Sequence, residues 1–437
     1  MSTVNETSAD TRRPQADAEE RRLRANAEAL ERMVGAEPVL VGVAAAGDVV
    51  PGMTPTTILT SGAPLEWHQY TGGQRRAILY GAVYEGLADG VEDAEAKLDR
   101  GDIRVRSTQQ HDCIGSVAGI YTASMPVFIV EDETHGNRAF CNFYEGKSRY
   151  RLNYGSYDQE VADGLRWLES TMAPVLAECL ADHPIRLKPM MARALRLGDE
   201  LHSRNTAATL LLQRELTPRL FALAAKEQWR TRVEEVMDFF LANDYTFLRL
   251  SMAAAKATAD AAHGVEHSSL ITGMAINCRE FAVRVSGLGE EWFRGGHPEL
   301  QGRFFDGFTE ADAEWIGGES CVTETVGLGG MAQACAPSLM DYQGGSFQAM
   351  LGNNEAMYAI ASSEHPDYRI PAFDFRGTPV GIDLHAVVAS GVTPLIDGGL
   401  AGRAGGQIGA GVLRPRIEAF TAAAAGYAER YPNPTAS

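Results

Sequence analysis

The stretch Tyr121-Thr122-Ala123-Ser124-Met125-Pro126-Val127-Phe128-Ile129-Val130 runs shortly into Glu133-Thr134-His135-Gly136-Asn137-Arg138-Ala139-Phe140-Cys141-Asn142-Phe143-Tyr144-Glu145-Gly146. The apolar, β-branched end of the first half reads as a buried strand. The second half packs an imidazole, two carboxamides, a guanidinium and a carboxylate between two glycines. That inventory lies just past a strand's carboxyl end, where α/β architectures place their chemistry.

Working outward, helical and strand-like segments alternate around this stretch. Ala18 to Met33 carries strong helix formers, with Leu23, Ala27, Leu30 and Met33 at a spacing that predicts an apolar docking stripe. Pro38 to Val43 reads as a strand and Gln74 to Leu87 as a helix. Residues 158 to 262 are rich in alanine and leucine and poor in glycine, which predicts helices near 160–182, 188–225, 228–241 and 244–262. Beyond His263-Gly264 short strands and glycine return, as in Val283-Arg284-Val285-Ser286-Gly287-Leu288-Gly289. The fold expected is α+β: a disordered tail over 1–16, an N-terminal α/β domain over 17–157, a helical domain over 158–262 and a C-terminal α+β domain over 263–437.

Composition narrows the partners. At 437 residues and 45% hydrophobic content the chain can bury a large core. A formal charge of -18 repels nucleic acid and anionic membrane, so neither is expected as a partner. The six cysteines form no CxxC pair and read as reduced thiols. The charged N-terminus does not resemble a signal peptide, and no apolar run reaches the about 18 residues of a membrane span. A cytoplasmic protein is expected.

Three residue groups carry candidate chemistry. In the opening stretch His135 suits general acid/base work, Arg138 offers a planar fork for a carboxylate or phosphate, and Asn137, Asn142 and Glu145 complete the cluster. The plainer account gives Asn137 and Asn142 to turn backbone and pairs Arg138 with Glu145. In Gly198-Asp199-Glu200-Leu201-His202-Ser203-Arg204-Asn205, a helix would bring Asp199 to His202 as an acid/base pair and Glu200 to Arg204 as an ion pair. In Ile276-Asn277-Cys278-Arg279-Glu280, Cys278 beside Arg279 is a candidate nucleophile, or a small buried hydrophobe. Arg284, inside an apolar strand, requires an anionic partner. Glycine turns at 317–318, 327–330 and 405–411 could cradle an anion but fit neither the Walker nor the Rossmann spacing. Glu324 flanks one of them. No metal and no cofactor is expected.

Read together, Thr122-Ala123-Ser124-Met125-Pro126, Thr134-His135-Gly136-Asn137-Arg138-Ala139, Gly198-Asp199-Glu200, Arg284-Val285-Ser286-Gly287-Leu288-Gly289, Thr323-Glu324-Thr325 and Gly406-Gln407-Ile408-Gly409-Ala410-Gly411 resemble the bacterial YlbE/AllG-type family, linked to oxamate carbamoyltransferase of allantoin catabolism. The resemblance implies a helical domain between two α+β domains. It also implies an assembly with an acyl-CoA-synthetase-like subunit and a small accessory protein, moving a carbamoyl group between oxamate or oxalurate and phosphate. On residue chemistry rather than on the resemblance, catalytic work would fall to His135, Asn137, Arg138, Asn142, Glu145, Asp199, Glu200, His202, Asn277 and Cys278. Binding of carbamoyl phosphate, oxamate or a related amide would fall to Arg204, Asn205, Arg284, Glu324 and Gln407. A homodimer is the expected state of the chain. Ile276-Asn277-Cys278 stands where the family pattern has Arg-Asn-Gly, and Gln109-Gln110 where it has a histidine pair. Two alternatives follow: a Cys278-dependent amide hydrolase, cyclase or transferase, and a non-catalytic ligand-binding subunit.

Overall fold

The computed structural model describes residues 12–148 and 150–432. The expected tail over 1–16 lies mainly outside the described residues, except that a helix, Arg12–Gly35, already begins within it. The docking face of that helix differs from the predicted stripe. Arg22, Ala25, Asn26, Ala29 and Met33 are buried, whereas Leu23 is 53% exposed and Ala27 is exposed. The reason is a polar partner surface: Arg22 Nη1 donates to Asp383 at 2.7 Å, and the Asn26 side-chain oxygen accepts from Ser269 N at 2.7 Å. A search for apolar spacing passes over such a face.

The fold is α+β. Its five-stranded sheet has the order β4-β6-β5-β1-β7, with β1 Pro38–Ala45, β4 Cys113–Ile114, β5 Pro126–Asp132, β6 Arg138–Asn142 and β7 Ile185–Arg186; β2 Thr57–Thr60 and β3 Arg104–Ser107 form a separate parallel pair. β5 and β6 are an antiparallel hairpin, with Glu131 opposite Arg138 and Val127 opposite Asn142. The polar stretch is therefore a hairpin turn followed by a strand. Four steps at about 3.3 Å each put Arg138 and Asn142 roughly 13 Å apart, at opposite ends of β6.

The Leu248–Ala261 helix lies across β5 and β6 and is buried almost all round. Its run of alanines permits that close approach, and its buried polar residues Arg249, Ser251, Lys256 and Thr258 are enclosed with them. The predicted helix over 188–225 is two, Leu187–Arg196 and Thr206–Ala224, with a loop between them. One apolar core extends from Ala25 through the helical segment to Val380.

The C-terminal strands form three small antiparallel sheets: β10-β9-β8 (β8 Ile271–Ile276, β9 Phe281–Val285, β10 Phe293–Gly295), β11-β15-β14 (β11 Glu299–Phe304, β14 Ile396–Ala401, β15 Gln407–Arg414) and β12-β13 (β12 Ala361–Ile370, β13 Arg376–Ile382). A second core lies among them. The glycines at 409 and 411 sit inside β15 rather than in an anion-cradling turn: a Cβ on Gly409 would stand 2.5 Å from the Arg303 carbonyl oxygen. Among the described residues no helix is long and apolar enough to cross a membrane.

Candidate functional site

The loop Gly198–Asn205 is the first element of the site. Gly198 adopts φ +103°, which ends the preceding helix, and Leu201 adopts φ +71°. Asp199 Oδ2 accepts from Ala208 N at 2.7 Å and so caps the following helix. Glu200, wholly buried, turns its carboxylate onto the loop's own backbone, accepting from His202 N at 3.2 Å, from Ser203 N, and from Arg204 N at 2.8 Å. The expected helical pairs therefore do not form. Arg204 faces Asp199 at 3.5 Å instead of Glu200, and His202 faces neither. Asn205 donates to the His202 carbonyl at 2.9 Å, which fixes the loop from the other side.

His202 pairs with Glu324. Its Nδ1 lies 2.8 Å from Glu324 Oε1, and both side chains are buried. Glu324 sits on the short helix Val322–Thr325 and is held by Thr323 Oγ1 at 2.9 Å, Gly330 N at 3.0 Å and Asp397 N at 3.2 Å. Accepting at Oε1 places the imidazole proton on Nδ1 and leaves Nε2 as the exchangeable position. Burial pulls the His202 pKa down, but the charge and hydrogen bond of Glu324 outweigh it and the net shift is upward. Burial pushes Glu200 well up, helped by the negative charge of Asp397. Among the described residues no group of three or more His, Cys, Asp or Glu is arranged to hold a metal.

His202 lines a cavity of about 1050 Å³ whose walls come from all three sequence regions, among them Glu145, Arg151, Arg204, Arg249, Gly318, Asp397 and Gln407. Arg249 projects from the central helix and is 3% exposed. It donates to Asn142 Oδ1 at 2.9 Å, its Nε has no hydrogen-bond partner, and it forms no ion pair among the described residues. Arg151 lies over the rings of Tyr154 at 4.5 Å and Tyr144 at 5.5 Å and donates from Nη1 to the Gly146 carbonyl at 3.2 Å, while its buried Nε has no hydrogen-bond partner among the described residues. The neighbouring Glu145 spends its carboxylate on the backbone N–H groups of Leu152 at 2.7 Å and Asn153 at 3.1 Å. Among the described residues neither guanidinium forms an ion pair, Arg151 feeling the charge of the backbone-bound Glu145 without pairing with it, so both retain donors for an anion entering the cavity.

Apart from Gln407, the remaining sequence-derived candidates lie elsewhere. His135 occupies the β5–β6 turn, with Nδ1 2.6 Å from Asp132 Oδ2, and Arg138 pairs with Glu131 at 2.7 Å rather than with Glu145, because the strand separates those two. Asn137 donates to the Ala257 carbonyl at 2.9 Å. Asn277 caps its own turn by accepting from Arg279 N at 2.9 Å and Glu280 N at 3.0 Å. The half-buried Cys278 thiol accepts from Thr71 N at 3.4 Å and does not line the cavity. Arg284 has its anionic partners, Asp260 at 2.6 Å and Glu290 at 3.3 Å. Gln407 lines the cavity and donates to the Gly409 carbonyl at 3.1 Å and to the Tyr342 hydroxyl. Sequence reading missed Arg151, Arg249 and Asp397. Arg249 had a signal, a single guanidinium in the otherwise apolar run Leu248-Arg249-Leu250.

Fold and cavity together define an α+β protein whose cavity is lined by two arginines and by a carboxylate-supported histidine. The family model for the oxamate carbamoyltransferase subunit AllG matches residues 103–320. The chain is 36% identical to the oxamate carbamoyltransferase subunit AllG of Escherichia coli K12, covering 93% of this chain and 97% of that one, and it belongs to the AllG family. It is also 39% identical to the uncharacterized protein YahG of the same organism, over 93% of this chain and 86% of that one. A crystal structure of a conserved protein of unknown function from Enterococcus faecalis V583 superposes with a TM-score of 0.90 at 36% identity, covering 94% of this chain and 99% of that one.

Proposed function

We propose that this chain is the ligand-binding and proton-transferring subunit of a cytoplasmic, oxamate carbamoyltransferase-like assembly. The observation that carries the reading is the cavity lined together by Arg249, Arg151 and His202, the last backed by Glu324, with no ion pair to either guanidinium among the described residues. Oxamate carries a carboxylate and carbamoyl phosphate a phosphoryl group, each of which a guanidinium fork accepts. In the synthetic direction the oxamate nitrogen attacks the carbamoyl carbon. The carbon–oxygen bond to phosphate breaks and phosphate leaves with the electron pair. His202 Nε2 takes the nitrogen's proton while Glu324 stabilises the resulting imidazolium. In the reverse direction His202 returns that proton to the departing nitrogen.

A cavity of about 1050 Å³ exceeds what these small molecules fill. That excess favours a second reading, in which residues of a partner complete the site and this chain alone binds without turnover. The partners proposed are an acyl-CoA-synthetase-like subunit and a small accessory protein, with a homodimer of this chain as its resting state. The test incubates the purified chain, alone and with those subunits, with carbamoyl phosphate and oxamate, and follows phosphate release and ureide formation. Turnover that falls at least about 100-fold in His202→Gln is expected. No product from any combination rejects the transferase reading.

A further inference from the structure

Asp397 lies on β14, is wholly buried and lines the cavity beside the His202–Glu324 pair. Its two oxygens are treated differently. Oδ1 accepts from Gln333 Nε2 at 2.8 Å and from Gln343 Nε2 at 3.1 Å, so it is committed as an acceptor. Oδ2 is buried and has no hydrogen-bond partner among the described residues. An ionised carboxylate with one oxygen desolvated and unmatched is costly, and a proton placed there removes the cost.

The charges around it point the same way. Glu324 accepts from the Asp397 backbone N–H at 3.2 Å, Glu200 is close enough for its charge to be felt, and His202, when protonated, is a cation facing this group. One imidazolium cannot balance three neighbouring carboxylates, and like charges in one desolvated site do not all ionise. We propose that Asp397 binds ligand as a protonated acid, its Oδ2–H donating to the carbonyl oxygen of the substrate amide while Gln333 and Gln343 hold Oδ1. The assignment rests on the function proposed above and adds how the amide is recognised. Burial first, and then the charge of Glu324, push the Asp397 pKa up to about 6, within reach of working pH. A carboxylic acid kept neutral so that it can donate is a known way of polarising a carbonyl.

The test has one arm without ligand and one with it, both on the full chain. Infrared spectra of the ligand-free protein, titrated from acid to neutral pH, are expected to contain a carboxylic C=O band that disappears in Asp397→Asn. Calorimetric titration with oxamate is expected to show affinity falling by about tenfold per pH unit above about pH 6, beyond the dependence left by His202. In Asp397→Asn, whose amide still donates, that extra dependence is lost, and affinity at low pH stays within about threefold of the parent. Gln343→Met withdraws a donor from Oδ1, so the break moves to higher pH; this variant keeps the test decisive should Asp397→Asn fail to fold.

A low-pH spectrum without an Asp397-dependent band overturns the proton placement. An oxamate profile unchanged in Asp397→Asn, or a break unmoved in Gln343→Met, overturns the donor assignment while the functional reading stands. A normal band with no oxamate binding at any pH overturns the proposed ligand and the functional reading together.

Discussion

Replacing Arg249 with methionine separates a ligand-holding arginine from a structural one, because the two roles predict opposite signs for stability. The side chain belongs to a residue 3% exposed and, among the described residues, donates to Asn142 at 2.9 Å and forms no ion pair. Methionine keeps most of the packed stem. Losing the hydrogen bond costs about 1.5–3 kcal/mol, whereas removing an uncompensated buried charge returns several kcal/mol. The expected net change lies between roughly zero and 2 kcal/mol of added stability. Anion binding moves the other way. Truncating one partner of a desolvated charge pair costs about 2–5 kcal/mol, equivalent to at least about 30-fold in Kd. Urea unfolding gives the first quantity, and calorimetric titration with oxamate, and separately with inorganic phosphate, gives the second. A variant destabilised by more than about 2 kcal/mol that binds both anions within about threefold of the parent would refute the reasoning and make Arg249 a structural residue.

Four further outcomes are expected. The His202 pKa is raised above its ordinary 6.5 on folding, so the contribution of the pair with Glu324 is fully present below that pH and is lost as pH rises through the higher folded value; Glu324→Gln should flatten the loss of stability as pH rises above 6.5, read by urea unfolding. Gly329 adopts φ +57°, and a Cβ there would stand 2.1 Å from Glu324 Oε1 and 3.1 Å from the His202 Cβ, so Gly329→Ala should destabilise by about 2–4 kcal/mol in urea unfolding and abolish turnover. The Arg138–Glu131 pair is on the surface, so Arg138→Ala should cost under about 1 kcal/mol, and since Arg138 and His135 both lie away from the cavity, Arg138→Ala and His135→Ala should each leave oxamate affinity unchanged by calorimetry. Cys278→Ala should retain phosphate release within about threefold, whereas loss of turnover in a folded variant would restore the thiol mechanism.

Legibility in the sequence followed the range of the interactions. Local patterns announced β5, β9 and the helices of the alanine- and leucine-rich region, because apolar period and propensity act over a few residues. Propensity did not reveal the break at Gly198, where a left-handed glycine and the capping carboxylate of Asp199 convert a presumed continuous helix into the loop that carries His202. Nor did spacing expose the face of the Arg12–Gly35 helix, since Arg22 and Asn26 are buried by partners about 240–360 residues away in the chain.

The sequence by itself determined the α+β class, the acidic character and the family motifs, and it drew attention to His202, Glu324, Glu145 and Gln407 as chemically capable groups. Only the tertiary structure decided which of these share a cavity. It joined His202 to Glu324 across 122 positions, set Arg249 against Asn142 across 107, and left His135 and Arg138 at the far end of β6. The physical reason is that a site depends on charges and hydrogen bonds desolvated together. Which residues are desolvated together is set by how distant segments pack.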